Sequence, residues 1–333
     1  MTPYCCPKCH GELADSDAVL ACQDCGASYT THPGGTDFRP DSTDANKDAQ
    51  ADIYDGMLGE LSDYRYPHNL TLAHQRGLLE SLPLAAGAHV LEIGGHRSGV
   101  LPYLEHVRSI QGFGLDISRE WVAEQNRLSA LRGRGTVWVQ GDAERLPLAD
   151  ESMDAVVSFD VFEHLSNMEA AARECFRVLR PRGTLLCHMP IQDVGGSLDG
   201  LQRRFDGDGW RQRQASVDHF HDRMPTAKQA TQMFEHLGFE VEEHKRFNVW
   251  LQPFHDHKWL TWLGQRRHRG KTTHERTRSH KSSLPTGAGA STFQKAYSRV
   301  ALPVVAALAT PDRIGARLGI GGSASWTLRK PSV

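Results

Sequence analysis

From about residue 68 onward, short apolar runs alternate with longer stretches in which apolar positions recur every three or four residues. The short runs are rich in Val, Ile, Leu and Phe and predict strands at 89–93, 112–116, 136–140, 155–159, 184–189, 240–244 and 324–329. The periodic stretches between them, such as 119–132 and 169–179, predict amphipathic helices. Alternation of this kind predicts an α/β domain, a doubly wound parallel sheet with helices on both faces, whose ligand sits at the carboxyl ends of the strands. The first 40 residues break the pattern, being short in apolar runs and dense in Cys and Gly. Residues 41–50, "DSTDANKDAQ", are polar and acidic and read as a linker. The expected division is a small module at 1–40, a linker and lead-in helix at 41–67, and a main domain at 68–333. Within the main domain, 246–322 is an insertion before the last strand, expected to form a lid or mobile loop.

The small module carries two knuckles, Cys6-x-x-Cys9 and Cys22-x-x-Cys25, separated by twelve residues. Two such pairs supply four thiolates to a tetrahedral ion, which suits Zn²⁺. A pair of disulfides is the alternative, disfavoured for a reduced, cytoplasmic setting. Cys5 has the wrong spacing for a knuckle and is expected to stand aside; Cys175 and Cys187 lie in apolar patterns and read as small buried hydrophobes. The stretch "CPKCHGELADSDAVLACQDCGASYTTHPGGTDFRP" also resembles the short zinc-ribbon domain found beside methyltransferases. A module of this size cannot bury enough core without its metal, so zinc binding and folding are expected to be linked.

In the main domain the predicted strand ends carry the polar chemistry. Strand 89–93 holds Glu92 and runs into a turn with Gly94, Gly95, His96 and Gly99, where glycines let a ligand approach the backbone and the next helix N-terminus. Asp116, 24 residues after Glu92, ends the second strand, where an acid can take both hydroxyls of a ribose. Asp142 and Ala143 follow the third strand, where an adenine edge can be read, and Asp160 ends the fourth, followed by Glu163 and His164. A glycine turn with a downstream acid also fits a dinucleotide-dependent dehydrogenase, but G-x-G-x-x-G is not satisfied here.

Together, "LEIGG", "GLDIS", "GDAERLPLADESMDAVVSFDVFEHL" and "ECFRVLRPRGTLLCHMP" resemble the class I S-adenosylmethionine-dependent methyltransferases, in particular the type 11-like group acting on small molecules. The resemblance covers residues 85–245 and implies a Rossmann-like, seven-stranded, mostly parallel sheet whose final strand, 324–329, is antiparallel and inserted near the edge. It implies S-adenosyl-L-methionine as cofactor beside structural Zn²⁺. It places Glu92 near the methionine amino group, Gly94 and Gly95 against methionine and ribose, Asp116 on the ribose hydroxyls and Ile117 against adenine. Asp142 and the Ala143 N–H would meet the adenine edge, and Phe159 and Asp160 would border the sulfonium. The family usually has glycine where His96 stands; His96 is expected either to touch the methionine carboxylate or to face solvent.

Methyl transfer from a sulfonium is a displacement that needs alignment and dryness, and a base when the acceptor carries a proton. Three histidines are candidates for that base. His164 lies at the start of a predicted helix; in the similar ubiquinone-pathway O-methyltransferases the Asp160, Glu163, His164 cluster implies a divalent metal, the alternative being that Glu163 and His164 are first-turn helix residues. His219 and His221 lie on a predicted loop before the sixth strand, where related enzymes place a histidine beside substrate. The glycine-rich stretch 191–213 follows the fifth strand and is expected to be a loop shaping the acceptor pocket. Trp250, Phe254, Trp259 and Trp262 are spaced for one side of a helix and are expected in the core.

Composition narrows the partners. With 38 Lys and Arg against 40 Asp and Glu, the chain lacks the basic excess of a general nucleic-acid binder. The run at 265–282 is basic and low in apolar residues, and reads as a solvated loop rather than a phosphate track. No apolar leader opens the chain, and "VALPVVAALAT" is too short for a membrane span. The expected activity is methyl transfer to an oxygen or nitrogen of a small-molecule acceptor, a natural product, sugar or lipid precursor, in the cytoplasm. The alternatives are an RNA-modifying methyltransferase whose ribbon grips nucleic acid, and a non-catalytic partner protein of this fold. Oligomeric state is left open.

Overall fold

A computed structural model describes residues 3–16, 18–39, 47, 51–52, 55, 62–94, 99–209, 224–259 and 292–332 of the chain. The N-terminal module is a four-stranded antiparallel meander of β1 (Leu13–Ser16), β2 (Val19–Cys22), β3 (Ser28–His32) and β4 (Gly35–Thr36). Helix α1 (Leu70–Ser81) opens the main domain. Then follow β5 (His89–Ile93), α2 (Val100–Arg108), β6 (Gln111–Asp116), α3 (Arg119–Leu131), β7 (Val137–Gln140), β8 (Met153–Phe159), α4 (Met168–Val178) and β9 (Leu179–Pro190). The chain ends with α5 (Leu198–Phe205), α6 (Ala227–His236), β10 (Glu240–Phe247), α7 (Thr292–Leu308), α8 (Thr310–Arg317) and β11 (Ser323–Arg329).

The seven strands of the main sheet lie in the order β10-β11-β9-β8-β5-β6-β7. β5, β6, β7, β8 and β9 are parallel, while β11 runs antiparallel between β9 and β10. This is the Rossmann-like arrangement expected, with the final strand inserted one place from the edge. Strand order reverses between β5 and β8, so a crevice opens at their carboxyl ends. The central strands are apolar on both faces, as a sheet covered by helices requires: Val90, Leu91, Ile93, Val156, Val157, Leu185 and Leu186 are all buried.

Local signals account for the helix boundaries. The Ser118 hydroxyl accepts the Trp121 N–H at 3.0 Å and starts α3, Asn167 starts α4, and Thr226 with Gln229 forms a capping box on α6. Helix α1 has no counterpart among the predicted helices. Its start is capped from two sides: Asn69 accepts the Leu72 N–H at 2.7 Å, and Asp256 accepts the N–H groups of Leu70 and Thr71 at 3.0 and 2.9 Å. The second cap comes from 186 residues away, beyond any local pattern.

Three expectations are corrected. β9 starts five residues before the predicted 184, because Leu179 pairs with Met153 of β8, and just past β11 the Lys330 carbonyl accepts the Arg182 N–H while its N–H donates to Gly183. The stretch 191–213 is not all loop, since Ser197 caps α5 within it. Trp250 and Phe254 are not core residues: they are 38% and 51% exposed, where the chain turns through a short helical segment at Leu251–Pro253. The Trp259 side chain and Trp262 lie outside the described residues, as does the basic run at 265–282. Of the segment 246–322, the described remainder forms α7 and α8, with the inner face of α7 packed on α1 through Leu302, Ala309 and Leu70.

The N-terminal module packs against the β7 edge of the main sheet. Its Phe38 N–H donates to the Gln140 carbonyl at 2.7 Å, Cys5 N–H to Pro147 at 3.1 Å, and Ala149 N–H returns to Pro3 at 2.8 Å. Phe38 is 1% exposed, stacked on Tyr4 with centroids 5.6 Å apart, and Tyr4 meets Phe113 of β6 edge-on. Cys6, Cys22, Tyr29 and Phe38 therefore share one apolar cluster with Phe113, Leu115 and Val139. Gly35 has φ +137, and a Cβ there would sit 2.9 Å from the Trp138 carbonyl, so glycine is what lets the module close on β7.

Candidate functional site

Two sites emerge, a cavity at the strand ends and a sulfur cluster in the N-terminal module. The sulfur atoms of Cys6, Cys9, Cys22 and Cys25 all lie within 4.8 Å of one another. The closest pairs are Cys9–Cys22 at 3.4 Å and Cys6–Cys25 at 3.7 Å, too long for a disulfide and close to the edge of about 3.8 Å expected for four sulfurs around zinc. Burial pushes the Cys6 thiol up, but the Tyr29 hydroxyl and the N–H groups of Lys8 and Cys9 favour the thiolate and bring it to about 7. Cys5 stands outside the cluster, and burial pushes its thiol up to about 11. The donor set fits zinc, and among the described residues no other group of three or more His, Cys, Asp or Glu converges in this way. The ligand atoms of Asp160, Glu163 and His164, the group for which the ubiquinone-pathway resemblance implies a divalent metal, do not converge to within 4.8 Å of one another.

The cavity is about 420 Å³ and opens at the carboxyl ends of β5, β6, β7 and β8. Of the residues singled out from sequence, Gly94, Asp116, Ile117, Asp142, Ala143, Phe159, Asp160 and His164 all line it. All but His164, which ends the short turn Phe162–His164 after β8, sit at or just past a strand tip because parallel strands all point their carboxyl ends the same way. Glu92 does not line it. Its carboxylate is buried one layer below and accepts the Leu101 N–H at 3.2 Å, at the start of α2. Gly95, His96, His219 and His221 lie outside the described residues.

Backbone geometry at two tips is specialised. Gly94 has φ +74, and a Cβ there would lie 2.2 Å from a Val161 methyl, so only glycine turns the chain here. Asp160 has φ +57, a conformation that non-glycine residues adopt rarely and often at functional sites. Asp116, the last residue of β6, is 5% exposed and accepts the Ser118 N–H at 2.8 Å, which ties its carboxylate to the residue that caps α3. Asp142 takes the Glu144 N–H at 2.9 Å and the Lys47 ammonium at 2.6 Å, while the Ala143 N–H has no partner among the described residues.

Several residues of the cavity were not read from sequence. Lys47, from the acidic linker, bridges Asp142 and Glu144. Tyr64, His68 and Gln75 form the wall opposite the strand tips. Burial holds the His68 imidazole below its ordinary range, which favours the neutral form a base requires. Behind the wall, His188 at the end of β9 is 2% exposed and pairs through Nδ1 with Asp160 at 2.9 Å. The Gln75 amide donates to the same Asp160 carboxylate at 3.3 Å, and the Tyr64 hydroxyl donates to Gln75 at 2.9 Å. A histidine two positions before a strand's end, beside an acid ending the next strand, was the available signal for His188.

Glu163 is 3% exposed, and burial, then the charge of Asp160, raises its carboxyl well above the ordinary 4.5. A raised acid is neutral in both states below about pH 4.5; above that the unfolded chain ionises while the folded one resists, so stability falls with rising pH. Glu163→Gln is expected to match the wild type near pH 4.5 and to exceed it at pH 7. The gain is about 1.4 kcal/mol for each tenfold tightening of the folded carboxyl's hold on its proton. Urea denaturation at both pH values checks this; a parallel pH dependence in the two proteins would show that Glu163 ionises normally in the fold.

A seven-stranded sheet of this order, with acids at successive tips around one cavity, defines the class I methyltransferase fold. Comparison with known proteins agrees: residues 91–187 match the type 11 methyltransferase-domain family. The chain thus carries a methyltransferase domain with homologues among S-adenosylmethionine-dependent methyltransferases. A Mycolicibacterium smegmatis protein named as a probable S-adenosylmethionine-dependent methyltransferase is 38% identical over 103 residues, 31% of this chain and 35% of that protein. The malonyl-acyl-carrier-protein O-methyltransferase of Methylococcus capsulatus is 39% identical over 101 residues, 29% of this chain and 36% of that enzyme. The chain thus spans about a third of the length of these curated relatives. Among solved structures, the 4+2 cyclase SpnF shares the fold, with a TM-score of 0.51 and 19% identity over 85% of this chain and 96% of that one.

Proposed function

We propose that this protein transfers a methyl group from S-adenosyl-L-methionine to an oxygen or nitrogen of a small molecule. The observation that carries the reading is the convergence of Asp116, Asp142 and Asp160 on one cavity of about 420 Å³, a volume suited to a nucleoside-sized ligand with room beside it. In this reading Asp116 holds the ribose hydroxyls, Ile117 packs on adenine, and Asp142 with the Ala143 N–H meets the adenine edge. Gly94, Phe159 and Asp160 then border the sulfonium. Glu92 acts indirectly, by anchoring the start of α2 beneath the glycine turn.

The acceptor enters against the wall of Tyr64 and His68, where alignment of nucleophile, methyl carbon and sulfur and exclusion of water supply the catalysis. His164 and His68 both line this space and are the candidate bases, with His219 and His221 retained as proposals from the resemblance. The N-terminal module, closed by zinc on Cys6, Cys9, Cys22 and Cys25, is proposed as a structural domain of residues 1–40. Its docking on β7 favours a supporting role for the ribbon over a nucleic-acid grip.

Calorimetry with S-adenosylhomocysteine on zinc-loaded protein tests the reading. Micromolar or tighter binding is expected, unchanged by competing RNA. A folded protein without affinity for donor or demethylated product would leave only the non-catalytic reading, and a salt-dependent RNA shift would favour a nucleic-acid acceptor.

A further inference from the structure

Helix α7 is apolar on two sides. Its inner side, with Tyr297, Leu302, Val305, Ala306 and Ala309, belongs to the cluster around Leu70 of α1. Its outer side carries Val300, Val304 and Leu308, which are 71%, 58% and 65% exposed and lie four residues apart, along one stripe. The stripe continues on α8 with Ile314 and Leu318, 56% and 73% exposed. A surface helix normally shows water a polar face, so an apolar outer stripe on a helix already packed inside calls for a second partner.

The charges around the stripe select that partner. Between residues 292 and 322 the sequence holds four cations, Lys295, Arg299, Arg313 and Arg317, and a single acid, Asp312. Asp312 is 5% exposed and turned inward, accepting the N–H groups of Leu251 and Gln252 at 3.0 and 2.8 Å. Lys295 and Arg299 turn away from the stripe onto the Tyr66 ring, so the exposed face of the α7–α8 hairpin offers apolar side chains flanked by Arg313 and Arg317 with no exposed acid between residues 292 and 322. Beneath it lies a second cavity of about 460 Å³, lined by Arg313 and Arg317, by Lys245 paired with Glu243, by the inward-turned Asp312, and by the apolar Phe247 and Val249. Apolar residues flanked by two exposed arginines suit an interface of acyl chains and anionic headgroups. Among the described residues no helix is long and apolar enough to cross a bilayer, so the geometry allows lying on a membrane, not spanning it.

We propose that the α7–α8 hairpin docks this protein on an anionic lipid surface, with Val300, Val304, Leu308, Ile314 and Leu318 in the acyl boundary and Arg313 and Arg317 at the phosphates. The inference is independent of the donor site, which faces the other side of α1: Thr71 and Gln75 line the donor cavity, while Leu70 and His74 line the second one.

The test is co-sedimentation of the full, zinc-loaded chain with vesicles of phosphatidylcholine alone or mixed with phosphatidylglycerol. Binding is expected to the mixed vesicles at low salt, to fall as NaCl rises, and to be slight on phosphatidylcholine alone. The double variant Val304→Asp/Leu308→Asp is expected to bind roughly tenfold more weakly or worse. The pair Arg313→Glu/Arg317→Glu is expected to lose the salt-sensitive binding. Both should keep the wild-type melting temperature and S-adenosylhomocysteine affinity, since these positions are exposed and away from the donor cavity. Failure of the wild type to pellet with anionic vesicles overturns the proposal, and so does equal pelleting of wild type and variants. A dimer in light scattering that the Val304→Asp/Leu308→Asp variant dissolves, with no vesicle binding, assigns the stripe to a second copy instead.

Discussion

Asp116→Ala is expected to weaken S-adenosylhomocysteine binding by about 100-fold, the largest loss of any single change in the cavity. The donor reading gives this carboxylate two hydrogen bonds to the ribose. Bonds to an ionised acceptor are worth about 1.5–3 kcal/mol each, so losing both costs about 3 kcal/mol or more, and each 1.4 kcal/mol is about tenfold in affinity. The effect on folding should be far smaller. Asp116 takes the Ser118 N–H at the start of α3, but Ser118 itself supplies the helix cap, so the loss is about 1 kcal/mol. In a chain of this size that lowers the melting temperature by only about 2–4 °C. Titration calorimetry and thermal denaturation of the same preparation separate the two. An unchanged affinity would remove Asp116 from the donor site and with it the adenosyl assignment of the cavity.

Stripping zinc from the proposed four-cysteine site is expected to be the second large effect. The four-sulfur cluster is the centre of a module whose four strands together contain only 15 residues, too few to hold Phe38, Tyr29 and Cys6 in place by packing alone. With the metal gone, the module should loosen and uncover β7 and β6, where Phe38 now stacks between Tyr4 and Tyr29. Removal of a buried Phe side chain alone costs about 3–5 kcal/mol. Chelation, or Cys22→Ser, is therefore expected to lower the melting temperature by roughly 10 °C. It should also weaken S-adenosylhomocysteine binding, because Phe38 is bonded to Gln140, the residue before the Gly141–Asp142 turn, and the Gln140 amide holds the Ile117 carbonyl. Metal analysis, differential scanning calorimetry and donor titration before and after chelation follow all three. An apo protein with unchanged melting and donor affinity would show the module to be an appendage.

The parts of the donor cavity that lie on strand tips were legible in the sequence because topology constrains them. Once β5, β6, β7 and β8 are parallel neighbours, the residue ending each strand must face the same crevice, wherever it lies along the chain. Asp116, Asp142 and Asp160 could thus be placed from apolar runs alone. The opposite wall follows no such rule. Tyr64, His68 and Gln75 reach the cavity only through the way α1 packs, and α1 gives a weak signal because its Leu70, Leu72, Leu78 and Leu79 are buried against different neighbours. Lys47 meets Asp142 across 95 residues of sequence, and from an acidic segment that reads as linker. His188 and Glu163 were misjudged or overlooked for a related reason: burial, not spacing, gives them their chemistry.

What the sequence determined by itself was local or periodic: strand and helix order, the cysteine knuckles, and the identity of the tip residues. Such features depend on contacts between near neighbours and on the fixed directions of side chains in strands and helices. Tertiary structure alone decided that the ribbon seats on β7, that Asp256 caps α1, and that α7 keeps one apolar face outward. These depend on which surfaces meet after long loops close, and an apolar residue carries no mark in the sequence to say whether it will be covered.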